Sequence, residues 1–64
     1  MDEYFVSIAF VTDPDNCLYN FHCQADDVEH AWEQGVDHCR TLSGEIPTCV
    51  WQFENGIPII LKEK

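Results

Sequence analysis

Between Asp26 and Gly44 the residues Val28, Ala31, Trp32, Gly35, Cys39 and Leu42 recur at spacings of three and four. That is one apolar stripe along a helix, and it is the clearest element of the chain. Asp26 is expected to be the N-cap, with Glu29 three residues later completing an acidic variant of the capping box. Gly44, after Leu42 and Ser43, supplies the stop, and Arg40 suits the last turn. The helix is therefore predicted over residues 27–43. Gly35 stands within the stripe, where glycine costs ~1 kcal/mol against alanine. Its presence predicts that the helix lies close against a sheet.

Strand patterns flank the helix on both sides. Residues 4–12 are rich in aromatic and β-branched side chains, Asp13-Pro14-Asp15-Asn16 has turn chemistry, and residues 17–24 form a second strand. Pairing Thr12 with Cys17 puts Tyr4, Val6, Ile8, Phe10, Tyr19, Phe21 and Cys23 on one face. The other face then carries Phe5, Ser7, Ala9, Val11, Leu18, Asn20, His22 and Gln24. After the helix, Pro47 ends the connection. Residues 48–54 make a third strand, Asn55-Gly56 a hairpin turn, and residues 57–63 a fourth strand. A two-residue turn would set Trp51 and Phe53 opposite Ile60 and Pro58. A three-residue bulged loop gathers Cys49, Trp51, Phe53, Ile57, Ile59 and Leu61 on one face, buries more, and is the expected arrangement. Trp32 and Trp51 are then expected to pack together in the core. Pro58 cannot donate a ladder bond, which marks the fourth strand as an edge.

The order β-β-α-β-β predicts a single α+β domain over residues 1–64: a four-stranded, mainly antiparallel sheet with one helix packed on one face. A helix ~10 Å wide cannot cover four strands spaced ~4.8 Å apart, and no second layer is available. Phe5, Val11, Leu18, His22, Val50 and Ile60 are expected on or near the uncovered face, as a dimer interface or a partner site.

Charge narrows the choice of partner. Twelve acidic residues against three basic ones give a formal net charge of −9. Phosphate recognition needs clustered Lys and Arg, so direct nucleic-acid binding is not expected, nor attraction to anionic membranes. Basic protein surfaces are the natural complement. The start, Met1-Asp2-Glu3, is acidic where a secretory leader would be basic. A cytoplasmic setting with reduced cysteines is expected.

Catalytic constellations are weak. The spacings of Cys17, Cys23, Cys39 and Cys49 match no zinc-knuckle pattern. In the expected register all four lean toward the core, with His30 and His38 on the polar side of the helix. His22-Cys23 and His38-Cys39 are adjacent in sequence, so their side chains diverge, and a thiol nucleophile needs its imidazole within hydrogen-bond reach. Neither cofactor, metal nor enzymatic activity is expected. A thiol-based metal- or redox-responsive regulator is the more distant alternative.

The acids are the remaining signal. Asp26, Asp27, Glu29, Glu33 and Asp37 line the first part of the helix, and Asp13 and Asp15 mark the first hairpin tip. Asp26 and Glu29 complement the helix dipole. Glu33 and Asp37 repel each other at i,i+4 and have no lysine four residues on. These seven residues are the expected partner-binding set, aimed at a basic surface, including one that serves nucleic acid. In size, charge and lack of catalytic groups, though by no motif, the chain resembles the small phage-encoded inhibitors of bacterial defence, the anti-CRISPR and anti-restriction proteins. That resemblance implies an inhibitor or adaptor acting as a nucleic-acid mimic in the host cytoplasm. The alternative is a homodimeric module that uses the uncovered sheet face.

Overall fold

The computed structural model describes residues 1–63. Its elements are β1 (Asp2–Phe10), β2 (Asp13–Ala25), α1 (Val28–Arg40), β3 (Glu45–Glu54) and β4 (Ile57–Glu63). The four strands form one antiparallel sheet in the order β2-β1-β3-β4, and α1 packs across β1, β2 and β3 on one side. This is the expected two-layer α+β architecture.

In the first hairpin the register differs from expectation while the faces hold. Tyr4 pairs with Cys23, Val6 with Phe21 and Ile8 with Tyr19. The reversal is made by Val11 and Thr12, closed by Phe10 opposite Asp13, and not by residues 13–16. Asp13-Pro14-Asp15-Asn16 spends its turn chemistry on a bulge instead. Ala9 pairs with Cys17 and Phe10 with Asp13, so Pro14, Asp15 and Asn16 leave the ladder. Asn16 Nδ2 donates to Asp13 Oδ2 at 2.8 Å across the base of that bulge. An edge strand tolerates a proline and an irregularity that a central strand would not. A displacement of two residues returns every side chain to its own face, so Tyr4, Val6 and Ile8 still point to the core. Phe10, expected there too, ends the strand beside Asp13 and Glu45 and is 46% exposed.

The helix begins one residue later than expected. Asp27 has extended backbone and its carboxylate accepts from the His30 amide at 2.8 Å, which makes it the N-cap in place of Asp26. The Asp26 amide instead donates to His30 Nδ1 at 3.3 Å. The helix stops at Arg40, with Thr41 as the C-cap, rather than running to residue 43. Leu42 turns back to the Cys39 carbonyl and Gly44 takes φ 82°, where its carbonyl receives the Val11 amide at 2.8 Å.

β3 starts at Glu45 and takes in Pro47, which was expected to stay outside it. A bulge between Ser7 and Ile8 accommodates the proline, and Thr48 Oγ1 donates to the Ser7 carbonyl at 3.1 Å. The second hairpin has the two-residue turn, not the bulged loop. Glu54 pairs with Ile57, while Asn55 and Gly56 take φ 53° and 79°. Two successive positive φ values define the primed turn whose twist matches the strands, and Asn-Gly meets that demand at least steric cost. This local preference outweighs the extra burial of the bulged alternative. In such a hairpin the closing pair exchanges both hydrogen bonds, so the Pro58 nitrogen points to the free edge of β4.

The core between sheet and helix holds Tyr4, Val6, Ile8, Cys23, Ala25, Ala31, Cys39 and Val50, with Phe21, Val28 and Trp32 packed against it. Val50 is fully buried there, opposite Val6, and not on the uncovered face. No helix among the described residues is long and apolar enough to cross a membrane.

Candidate functional site

The pairing of β3 with β1 decides what the uncovered face looks like. It sets Val50 opposite Val6 on the helix side and Trp51 opposite Phe5, so Trp51 and Phe53 point away from the helix, onto the side that Phe5 and His22 occupy. Cross-strand neighbours there form one stack over three strands. His22 of β2 lies on Phe5 of β1 with centroids 4.7 Å apart, and Phe5 lies on Trp51 of β3 at 4.5 Å, both pairs inclined by 17°. Phe53 stands at right angles to this row, 5.6 Å from Phe5 and 5.0 Å from Trp51. Each such contact contributes about 0.5–1.5 kcal/mol beyond area burial. Trp51 therefore does not meet Trp32. Trp32 is on the helix side, with Lys62 Nζ 5.5 Å from its ring centroid.

Polar groups fix the row from beneath. Trp51 Nε1–H donates to Ser7 Oγ at 3.1 Å, and Ser7 Oγ–H donates to Asn20 Oδ1 at 2.9 Å. The Cys17 thiol reaches the same Asn20 oxygen at 3.7 Å. Because the indole N–H is satisfied within the protein, the ring has one preferred orientation before any partner arrives. Phe53 and Ile60 remain 57% and 56% exposed, so the face is apolar and open to solvent. Glu3 closes one margin, with Oε2 3.6 Å from His22 Nε2. Past Ser7 and Cys49 the face opens into a groove of about 660 Å³ between the first hairpin tip and the end of β4, bordered by Asp15 and Glu63.

The acidic helix lies on the opposite side of the sheet, and its carboxylates are mostly engaged. Asp27 is the cap, Glu29 is 3.2 Å from Lys62, and Asp37 is 3.2 Å from Arg40, while Asp26 Oδ2 lies 3.9 Å from a His30 Nδ1 that already accepts the Asp26 amide. Exposed pairs of this kind are each worth at most about 1 kcal/mol. Glu33 takes part in no ion pair among the described residues.

A second polar cluster sits at the far end of the helix. Phe21 stacks on the His38 ring at 4.5 Å, so His38 is packed and not simply solvated. The Tyr19 hydroxyl donates to Glu45 Oε1 at 2.7 Å and meets His38 Nε2 at 2.8 Å. Desolvation, the hydrogen bond to Glu45 and the charge of Glu45 together push the Tyr19 phenol up to about 12. All four cysteines are free thiols. Cys23 and Cys39 are in the core, and burial raises both above the ordinary thiol value. Cys17 and Cys49 are not: the β2 bulge brings Cys17 opposite Ala9, and the regular part of the β1–β3 ladder sets Cys49 opposite Ser7, on the uncovered face. Among the described residues no three His, Cys, Asp or Glu side chains come together as a metal site.

Comparison with protein-family models, characterised proteins and solved structures finds no match to this chain. Of the face residues named from sequence, Phe5, His22 and Ile60 share one surface. Val11 borders the groove at the turn, and Leu18 occupies the β2 bulge, 44% exposed. Trp51 and Phe53, which dominate that surface, stand with the core in the arrangement expected from sequence. The signal that places them correctly is the alternation within β3: with Val50 in the core beside Val6, Trp51 and Phe53 fall on the other face, and the Asn-Gly turn then sets Ile60 beside Trp51.

Proposed function

We propose that the chain is a small protein-binding module, of inhibitor or adaptor type, that engages a basic protein surface through its uncovered sheet face. The observation that carries this reading is the His22–Phe5–Trp51 stack with Phe53 edge-on. It is an apolar, pre-oriented aromatic surface of the kind that supplies anchor residues at protein interfaces. The margin is acidic, at Glu3 on one side and at Asp15 and Glu63 on the other. Two copies meeting face to face would set these acids against each other on chains that each carry −9. Like charge across an interface is strongly unfavourable, so a basic partner is favoured over a second copy.

The acidic helix supports a second reading, in which Glu33 and Asp37, with Asp26, Asp27 and Glu29, occupy a basic groove as nucleic acid would. An inhibitor of a nucleic-acid-handling complex, of the anti-CRISPR or anti-restriction kind, belongs to this reading. The specific observation in its favour is Glu33, an acid without an ion-pair partner among the described residues.

Because the two surfaces lie on opposite sides of the sheet, paired variants separate them. Immobilised wild type, Phe53→Ser/Ile60→Ser and Glu33→Lys/Asp37→Lys proteins would be exposed to bacterial lysate at low and high salt, with bound proteins identified by mass spectrometry. A partner retained by the helix variant and lost by the sheet variant is the expected result. Loss through the helix variant alone would transfer the function to the acidic helix.

A further inference from the structure

Resting on the sheet-face reading, we infer that the occupant of this face is an extended peptide segment with an apolar or aromatic anchor and a lysine or arginine two or four residues away. Three observations converge on it.

The first is the composition of the groove beside the aromatic row. Val11 and Pro14 on the hairpin and Ile46 on β3 give it an apolar wall beside Thr48 and Cys49, while Asp15 of β2 and Glu63 of β4 line its two ends. Among the described residues no lysine, arginine or histidine lines it. Neither carboxylate takes part in an ion pair among the described residues. An apolar wall accepts the methylene stem of a long basic side chain, and a carboxylate at either end is available to its charged head.

The second is continuity. Trp51 faces Phe5, Cys49 faces Ser7 and Ile46 faces Ala9, all on the uncovered side. Along β1, from Phe5 to Ala9, four residues of extended chain span about 13 Å. A segment lying along β1 and β3 thus reaches both the aromatic row and the groove. In an extended segment, residues separated by two or four point the same way, so one side of the peptide presents both the anchor and the base.

The third is that the site is formed in advance. Trp51 is held by Ser7, Ser7 by Asn20, and Thr48 by the Ser7 carbonyl, so the floor between row and groove needs no rearrangement. Pre-formed surfaces reduce the ordering cost that limits short linear segments.

The test is selection of phage-displayed random dodecapeptides against the full chain, followed by affinity measurement on the synthetic consensus peptide. Enrichment of a base two or four positions from an aromatic, aliphatic or proline residue is expected. Affinity for that peptide should fall about tenfold or more in Asp15→Asn/Glu63→Gln, which removes two charge-assisted contacts, and should be lost in Phe53→Ser. Consensus peptides without a base, or no enrichment, would overturn the inference while leaving the sheet-face reading to the lysate experiment. An affinity unchanged in Asp15→Asn/Glu63→Gln but lost in Phe53→Ser likewise removes the groove and keeps the face. Indifference to both variants removes both.

Discussion

A methyl group on Gly35 would lie 2.8 Å from Val6 Cγ1. Val6 is fully buried between α1 and the sheet, so it has nowhere to withdraw. The helix thus approaches β1 as closely as a bare backbone allows, and the missing Cβ is a condition of the packing. Alanine would gain ~1 kcal/mol in helix propensity, whereas overpacking a full core costs about 1–3 kcal/mol. Gly35→Ala is expected to lower stability by about 1 kcal/mol on balance. In a Val6→Ala background the same change should become neutral or favourable. Urea unfolding of the four proteins measures the coupling, and a stabilising Gly35→Ala in the wild-type background would refute it.

The second hairpin depends on Gly56 at φ 79°, with open space where a side chain would stand. The cost of a substitution there is conformational and not steric contact. Gly56→Ala should destabilise by about 1–2 kcal/mol, the penalty of the left-handed region for an L-residue. The more informative readout is register: loosening this turn weakens the pairing that sets Ile60 beside Trp51 and Pro58 beside Phe53. Trp51 fluorescence, read in a Trp32→Phe background, should change along with stability.

Asp26 and Asp27 are adjacent acids that sequence alone does not tell apart. Only Asp27 accepts the His30 amide. Asp27→Ala is therefore expected to cost about 1 kcal/mol and Asp26→Ala clearly less. Thermal unfolding of the two variants side by side decides between them. Equal losses would mean that both contribute as helix-dipole charges and neither as a specific cap.

Tyr19 makes an alkaline prediction with a definite sign. Its phenol titrates at about 12 in the fold, against 10.0 ordinarily. Between those values the folded protein holds a proton that the unfolded chain has released, so stability falls as pH rises. The contribution is fully present below pH 10 and is lost through about pH 12. Tyr4, Cys23 and Cys39, also raised and mainly by burial, act in the same direction. Tyrosinate absorbance should rise late in native protein and at the ordinary value in denaturant. Tyr19→Phe should flatten the alkaline decline, and an unchanged slope would remove Tyr19 from the account.

Much of this fold could be read from the residues because its signals are local and agree with one another. The helical stripe, the alternation in β1 and the need of Gly35 for a close neighbour each name an element or a contact directly. Side-chain period also protects the first hairpin from error, since a displacement of two residues leaves Tyr4, Val6 and Ile8 facing the helix. The second hairpin had no such protection. There the two candidate turns differ by one residue in pairing, and that difference decides which β4 residues share a face with Trp51, while Trp51 itself is turned outward by the pairing of β3 with β1. Apolar side chains are plentiful on both faces of β3 and β4, so counting buried residues could not discriminate; the turn dihedrals could. The helix acids were legible as charges but not as partners, because Lys62 reaches Glu29 across 33 positions of sequence, which no local pattern reveals.

The strand order β2-β1-β3-β4 also has a kinetic consequence. Both hairpins and the helix close over short distances, while the junction of β1 with β3 joins residues such as Val6 and Val50. That single seam requires closure of most of the chain and brings the two halves of the molecule together. Loop-closure entropy has to be met before the seam returns any contact energy, so its formation is expected to set the folding barrier. Val50→Ala should then slow refolding, whereas Gly56→Ala, confined to a local turn, should appear chiefly as faster unfolding.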